Sequence, residues 1–501
     1  MSPKSKYSIL IKNSLWGSGS FVLISLVSFF LVPFIVKKLS VEGYGIYILI
    51  TSLVGFYAIL DLGLGSALVK FVAELHEKNE FERLNLYINS TVAFQGLIGL
   101  LSSIAIVFFS RNVLNFLKVG EANLQEGTYA LNICAFGFLF TFVGGAYRSV
   151  LQGLQLYKFT SLMDTFTNLA LNILVAVALY MGYGLVGSVV VNVFVACVSL
   201  VAYYALVRKR IPTYVVNPLI NIKILKNIVS FSLYIFLSKI SALFSNYIVR
   251  FVISFFLGPA AVTYYTIPSK LVGAIGGISS SGISAIFPFS SQLSAANRGD
   301  EIGELFLKSS RVFIATVFPI TVFVCLFSNQ ILTVWMGPEF AQKTWIVLSI
   351  TAFSSFIGGL SAIPNLITLG QGNSKLIGSF SILTITLYLI FLPLFTKLFG
   401  ILGTSIALLI ASTTVIYYVI FKTTQYTFIR VKDFFNVVLE PHLNAFVLAV
   451  LLFPIVVISK NQQPIIILMV GGTLMIFHYV YLMKKEIIPI QNIYDKLFQK
   501  Q

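Results

Sequence analysis

Fourteen stretches of this chain are apolar without strand-like alternation, and only short runs of charge, glycine or proline separate them. They lie at approximately 15–36, 44–66, 88–109, 128–147, 160–181, 184–207, 229–256, 261–290, 309–328, 344–369, 376–396, 400–421, 443–459 and 464–483. Their lengths suit helices crossing a hydrocarbon core of roughly 30 Å. A backbone in hydrocarbon must satisfy its own hydrogen bonds, so the pattern predicts an all-α integral membrane protein of about 14 transmembrane helices. One segment breaks the pattern. In DLGLGSALVKFVAELHEKNEFERLN (61–85), Leu68, Phe71, Val72 and Leu75 share one helical face, and Lys70, Glu74, Glu77 and Lys78 lie largely on the other. That stretch predicts an amphipathic helix in the membrane interface, entered through a bend at Asp61, Gly63 and Gly65.

Composition agrees. Of 501 residues, 57% are hydrophobic and 10% are charged, against about a quarter charged in soluble proteins. The leading MSPKSKYSILIKN is basic like the start of a signal peptide. The apolar run behind it has full span length and no small-residue cleavage site, so it reads as an uncleaved first helix.

Charge orients the spans. With fourteen crossings, 24 lysines and arginines fall on the side of the termini and 7 on the other, which predicts that both termini are cytoplasmic. The net charge of +17 then faces anionic lipid headgroups, and no nucleic-acid partner is needed to explain it.

The chain also repeats itself. LQGLQLYK returns as TLGQGNSK with Gly153 and Gly370 at an offset of 217, and FFSRNVLNFL (108–117) returns as LFSNQILTVW (326–335). GLVGS (184–188) returns as GILGT (400–404), SVEGYGIY as GPAAVTYY, and 61–85 aligns with 279–303. Five matches in one order, all at offsets of 216–218, predict two parallel six-helix lobes. The expected organisation is an N-lobe over 1–207, a cytoplasmic linker over 208–228 and a C-lobe over 229–421. Two extra spans and a cytoplasmic tail occupy 422–501. A substrate path belongs between such lobes, near the midplane.

Ionisable residues at span depth cost about 2.5–3.5 kcal/mol each and call for a reason. Five stand out: Asp61, Asp164, Lys239, Arg250 and Lys270. Lys239 and Arg250 are three helical turns apart on one face, about 16 Å along the axis. Their repeat-mates Phe21 and Val32 are apolar, so the expected cavity is cationic on its C-terminal wall. Lys239, Arg250 and Lys270 are the candidate substrate-binding residues; Asp164 and Asp61 are candidates for coupling or gating, with ion pairing or bend-capping as the alternatives. Cationic walls suit a phosphate or diphosphate. Cys134, Cys197 and Cys325 are scattered packing residues without metal spacing, and His76, His442 and His478 sit in loops or near a span end. GQGNSK fails the phosphate-loop pattern. No catalytic residue, cofactor or metal is expected.

The DLGLGSALVKFVAE exit from span 2, LQGLQLYK after span 4, the LGP…YY entry to span 8 and MGPEF before span 10 resemble bacterial polysaccharide-unit flippases. These are the Wzx-type (O-antigen) members of the multidrug/oligosaccharidyl-lipid/polysaccharide (MOP) exporter superfamily. The resemblance covers nearly the whole chain and implies a fourteen-helix, two-lobed transporter of the bacterial cytoplasmic membrane. Such a transporter moves undecaprenyl-diphosphate-linked oligosaccharide to the outer leaflet by alternating access. Its partners would be that glycan lipid and membrane lipids, with glycan polymerase or export machinery as open candidates. The resemblance implies cationic cavity residues on the headgroup, a role that Lys239, Arg250 and Lys270 take by depth and charge alone. A multidrug and toxin extrusion-type exporter, or a flippase for peptidoglycan precursor or teichoic-acid carriers, stays open as an alternative. An enzyme such as a glycan polymerase is disfavoured, because the longest outer loop, 110–127, is short.

Overall fold

The computed structural model describes residues 3–55, 60–61, 63–218, 220–229, 247–283, 286–427, 429–458 and 463–485. Regular structure among them is helical. Ten helices there are long and apolar enough to cross a membrane. The chain forms two compact units, Met1–Thr263 and Tyr264–Gln501.

The first unit holds α1 (Pro3–Gly55), α2 (Leu64–Glu77), α3 (Phe81–Phe116), α4 (Glu121–Gly153), α5 (Tyr157–Tyr180), α6 (Gly184–Arg210) and α7 (Val249–Leu257). Two expected spans merge in α1, whose 53 residues would measure about 80 Å if straight. Ser40 interrupts it at φ 67° and ψ 168°. The Ser40 hydroxyl accepts a hydrogen bond from the Gly43 amide at 3.2 Å, as an N-cap does for the helical half that follows.

The apolar face of α2 differs from its expectation. Leu64, Ala67, Leu68 and Val72 are fully buried, not turned to lipid, in a core with Leu84, Ile88, Val150 and Leu151. Gly153 permits this approach: a Cβ there would stand 2.7 Å from Val72 Cβ and 2.9 Å from the Val69 carbonyl. Gly153→Ala is therefore expected to destabilise the unit by about 1–3 kcal/mol. Trimming the neighbour in Gly153→Ala/Val72→Ala should restore part of the loss in thermal unfolding of the purified protein. Equal stability of Gly153→Ala and wild type would show that α2 is not held this tightly. On the polar face, Glu74 and Lys78 pair at 2.7 Å, one turn apart.

Small residues set the α3–α4 contact. Gly99 leaves only 3.0 Å between a notional Cβ and the Leu139 Cα, and the Ser103 hydroxyl donates to the Ala135 carbonyl at 2.6 Å. Such close backbone approach is how helices associate where lipid removes the hydrophobic drive.

The segment after α6 is fastened down. Tyr214 is fully buried; its hydroxyl donates to Asn89 Oδ1 at 3.0 Å and lies 3.2 Å from the Tyr147 hydroxyl. Burial pushes the Tyr214 phenol well above its ordinary range. Asn89 Nδ2 donates to the Val215 carbonyl at 2.8 Å, and the Asn217 amide donates to Asn89 Oδ1 at 3.1 Å. Asn85 holds the Thr213 carbonyl and Ser90 the Asn221 amide. Asn221 then caps the helical residues 222–229 by accepting from the amides of Lys223 and Ile224.

The second unit contains most of α8 (Pro259–Ile283), then α9 (Ile286–Ala295), α10 (Gly299–Leu326), α11 (Ser328–Met336), α12 (Pro338–Gly359), α13 (Ala362–Gly370), α14 (Ser374–Tyr426), α15 (Val431–Ile458) and α16 (Pro464–Lys484). Its core joins Ile286, Phe306, Phe313, Phe356, Ile367 and Phe434. A separate cluster of Phe327, Leu448, Leu452 and Ile467 joins α15 and α16 to the end of α10. Another pair of expected spans merges in α14, broken at Gly400 with φ 64°.

The sequence repeat reappears in the backbone. Positive φ angles recur in pairs: Ser40 and Gly258, Asn79 and Asn297, Gln155 and Gly372, Gly184 and Gly400. Their spacings are the 216–218 of the sequence motifs. Gly370 repeats the work of Gly153, since its notional Cβ would meet Ser290 Oγ at 2.7 Å on α9.

Candidate functional site

A cavity of about 420 Å³ opens within the first unit among α1, α4, α5 and α6. That size suits a small polar headgroup. Gly137, Gly144 and Gly145 leave room along its α4 wall between Cys134, Phe140, Thr141 and Arg148, while Arg148, Asp164 and Tyr203 supply its charge and strongest hydrogen-bonding groups.

Arg148 lies near the end of α4 and Asp164 on α5, across the turn that Gln155 makes at φ 60°. The guanidinium grips the carboxylate in a fork: Arg148 Nε donates to Asp164 Oδ1 at 3.0 Å, and Nη2 to Oδ2 at 2.5 Å. Tyr203 on α6 donates its hydroxyl to Asp164 Oδ1 at 2.6 Å. The ion pair is open to the cavity, with side-chain exposures of 40% for Arg148 and 35% for Asp164. Around it run Thr167 with Ser199 at 3.1 Å and Asn192 with the Tyr47 hydroxyl at 3.0 Å.

Of the sequence candidates among the described residues, Asp164 alone lines this cavity. Asp61 is buried at the entry to α2, where it accepts from Gln95 Nε2 at 2.5 Å and from the Gly65 amide at 3.3 Å. That is the geometry of a bend cap that also ties α2 to α3. Arg250, on α7, donates to Ser52 Oγ at 2.8 Å and sits 5.9 Å from the Tyr247 ring centroid. Lys270 is an exposed residue of α8 in the second unit. Lys239 lies outside the described residues.

Arg148 and Tyr203 were not among the candidates. The apolar run around 128–147 stops short of Arg148, which made it look like the first residue of a loop, whereas α4 continues to Gly153. The apolar residues Tyr147, Val150 and Leu151 were the available signal, since their 3–4 spacing continues the helical pattern beyond Arg148.

Beside Arg250 lies a second, apolar cavity of about 580 Å³, lined by Leu53, Phe109, Val113, Phe116, Ile248 and Phe251 among others. The same end of the unit is tightly closed. The Thr263 hydroxyl donates to the Val41 carbonyl at 2.6 Å, Ser254 to the Leu117 carbonyl at 2.5 Å, and Lys118 Nζ to the Phe256 carbonyl at 3.0 Å. Gly45 touches the backbone of Pro259 so closely that a Cβ would lie 1.9 Å from its carbonyl oxygen.

Known proteins share both sequence and fold with this chain. A family model described as polysaccharide biosynthesis protein matches residues 10–294. A putative O-antigen transporter of Shigella flexneri is 23% identical over 400 residues, covering 79% of this chain and 94% of its own length. One from Salmonella typhi is 27% identical over 295 residues, 57% of this chain and 65% of its own. Among solved structures, a lipid II flippase MurJ in an inward closed conformation superposes with a TM-score of 0.74 at 14% identity, covering 95% of this chain and 99% of its own. An outward-facing multidrug resistance MATE family transporter of the MOP superfamily gives 0.59 at 14% identity, over 83% and 95%. The solved structures establish an all-helical MOP-type fold. The family match covers more than half of the sequence, and with it the chain belongs to the polysaccharide biosynthesis protein family.

Proposed function

We propose that this protein is a flippase that carries polyprenyl-diphosphate-linked oligosaccharide from the cytoplasmic to the outer leaflet for surface polysaccharide synthesis. The observation that carries the reading is the Shigella relative, described as a putative O-antigen transporter and matched over 94% of its own length. Physical chemistry supports it. A diphosphate cannot enter hydrocarbon unaccompanied, and this apolar chain holds a cavity with a forked cation and several hydroxyl and amide groups in its wall.

The protein sits in the bacterial cytoplasmic membrane with both termini inside, as the 24-to-7 bias of basic residues favours. In that orientation, the contacts from Val41, Gly45 and Leu117 to 254–263 close the first unit towards the outside. The cavity receives the headgroup from the cytoplasm while the polyprenyl tail stays in lipid. A rearrangement within the first unit then parts these contacts and releases the headgroup outward. The chain catalyses translocation, with no covalent step. Exporting an anion from an inside-negative cell gains about 2.3 kcal/mol per charge per 100 mV. Lys239, Arg250 and Lys270 guide the anionic headgroup on its way.

A strain lacking the gene should lose its surface glycan and accumulate the lipid-linked unit, and wild-type protein should restore it. Lys239→Ala and Arg250→Ala, at matched membrane levels, should each restore less than a tenth, with Lys239→Arg recovering most of it. A deletion strain with normal glycan but raised drug sensitivity would move the chain to the exporter reading.

A further inference from the structure

Resting on the flippase reading, we propose that Arg148 anchors the diphosphate of the carried headgroup, and that Asp164 is its exchangeable counter-ion. Asp164 holds the guanidinium in place in the empty cavity and yields it to the incoming anion.

The geometry supplies the equivalence. A guanidinium fork fits a carboxylate and a phosphate by the same two parallel N–H···O bonds, and Arg148 makes that fork to Asp164 with Nε and Nη2. A diphosphate diester carries two negative charges against one on Asp164, so it competes well for the same donors. The pair faces the cavity and is over a third exposed on each side, so a ligand reaches it without unpacking a core. Pairs exposed to this degree hold a fold only weakly.

Tyr203 completes the exchange. Its hydroxyl donates to Asp164 Oδ1 at 2.6 Å independently of the arginine, so the carboxylate keeps a donor when Arg148 turns to the ligand. Thr141, Thr167, Asn192 and Ser199 line the same space and offer hydroxyl and amide groups to a sugar next to the diphosphate.

The internal repeat argues that folding does not demand the pair. At offsets of 216–217, Arg148, Asp164 and Tyr203 correspond to Asn365, Ser381 and Val419. The second copy of the helical hairpin therefore closes around the same kind of Gly370 contact with no charge at any of the three positions. The first copy carries the ionic cluster for what enters its cavity.

The test uses the full-length protein in lipid nanodiscs, with farnesyl diphosphate as the anionic probe and farnesol as its uncharged control. Arg148→Gln should weaken farnesyl diphosphate binding at least tenfold. Asp164→Asn, which keeps the shape and the Tyr203 bond, should tighten it about fivefold, leave farnesol unchanged and lower glycan display by slowing release. The neutral pair Arg148→Gln/Asp164→Asn separates this from a structural ion pair: it should keep wild-type thermal stability and still fail to bind. Recovery of binding and glycan in that double variant would overturn the proposal, as would weaker binding by a stable Asp164→Asn protein. Should the deletion strain keep its glycan while the binding pattern holds, the exchange stands and the glycan-lipid cargo falls. Should export require the protein while no variant alters binding, the flippase stands and the exchange falls.

Discussion

Gly45→Val is expected to give a protein that folds and inserts normally yet displays less than a tenth of the wild-type surface glycan. A Cβ at this position would lie 1.9 Å from the Pro259 carbonyl oxygen, 2.6 Å from its carbonyl carbon and 3.1 Å from Thr263 Oγ1. The first two are backbone atoms, so no rotamer change relieves the overlap. The second half of α1 must move away from the start of α8, and the 2.6 Å bond from Thr263 to the Val41 carbonyl breaks with it. On the proposed orientation that contact closes the outer side, and a transporter unable to close one side cannot complete alternating access. Thr263→Cys, buried in the wild type, should become reactive to a membrane-impermeant maleimide when combined with Gly45→Val. Gly43→Ala is the matched control, because its Cβ would meet only Leu39 Cβ and Ser40 Oγ, both at 3.5 Å. Full glycan display by Gly45→Val would mean that this contact has no part in transport.

The same glycine shows what the sequence could and could not say. That it lies in a membrane helix was legible, because hydrocarbon imposes helical hydrogen bonding on long apolar runs, and the repeat was legible in motifs around Gly153, Gly184 and Ser40. The positive φ angles of Ser40, Asn79, Gln155 and Gly184 and their repeat-mates gave those motifs their physical meaning: each marks a turn that needs left-handed backbone. The bend at Asp61, Gly63 and Gly65 was legible, and the face of α2 as apolar, since both are local. What covers that face was not, because its partners Ile88, Val150 and Leu151 belong to α3 and α4. Arg148 was misplaced by the same limitation. Its partner Asp164 lies beyond a turn, and hydropathy alone assigned the arginine to that turn. Contacts between distant segments, such as Gly45 with Pro259, leave no periodic trace at either end.

The strap after α6 is the other place where one residue holds distant chain segments together, and Asn89→Ala is expected to loosen it at a cost of about 1–3 kcal/mol. Asn89 uses both ends of its amide, giving Nδ2–H to the Val215 carbonyl and accepting at Oδ1 from the Tyr214 hydroxyl and the Asn217 amide. Alanine leaves three groups without that partner; of these only the Tyr214 hydroxyl belongs to a buried residue, Val215 and Asn217 being exposed and open to water, and a buried polar group so stranded costs about 1–3 kcal/mol. Tyr214 keeps its contact with Tyr147, which holds the total within that range. Asn89→Asp retains the acceptor and loses the donor, so it should fall between alanine and wild type. Asn85→Ala, which gives up one bond at an exposed position, should cost least. Thermal unfolding in detergent should rank the three in that order, and limited proteolysis should cut 211–221 first in Asn89→Ala. The consequence for transport follows from position. Asn221 ends the strap and caps the helical residues 222–229, so the strap fixes where that helix begins on the first unit. A variant that keeps its spans but frees the strap should therefore lose glycan display out of proportion to its loss of stability. Parallel losses would reduce the strap to a structural fastening.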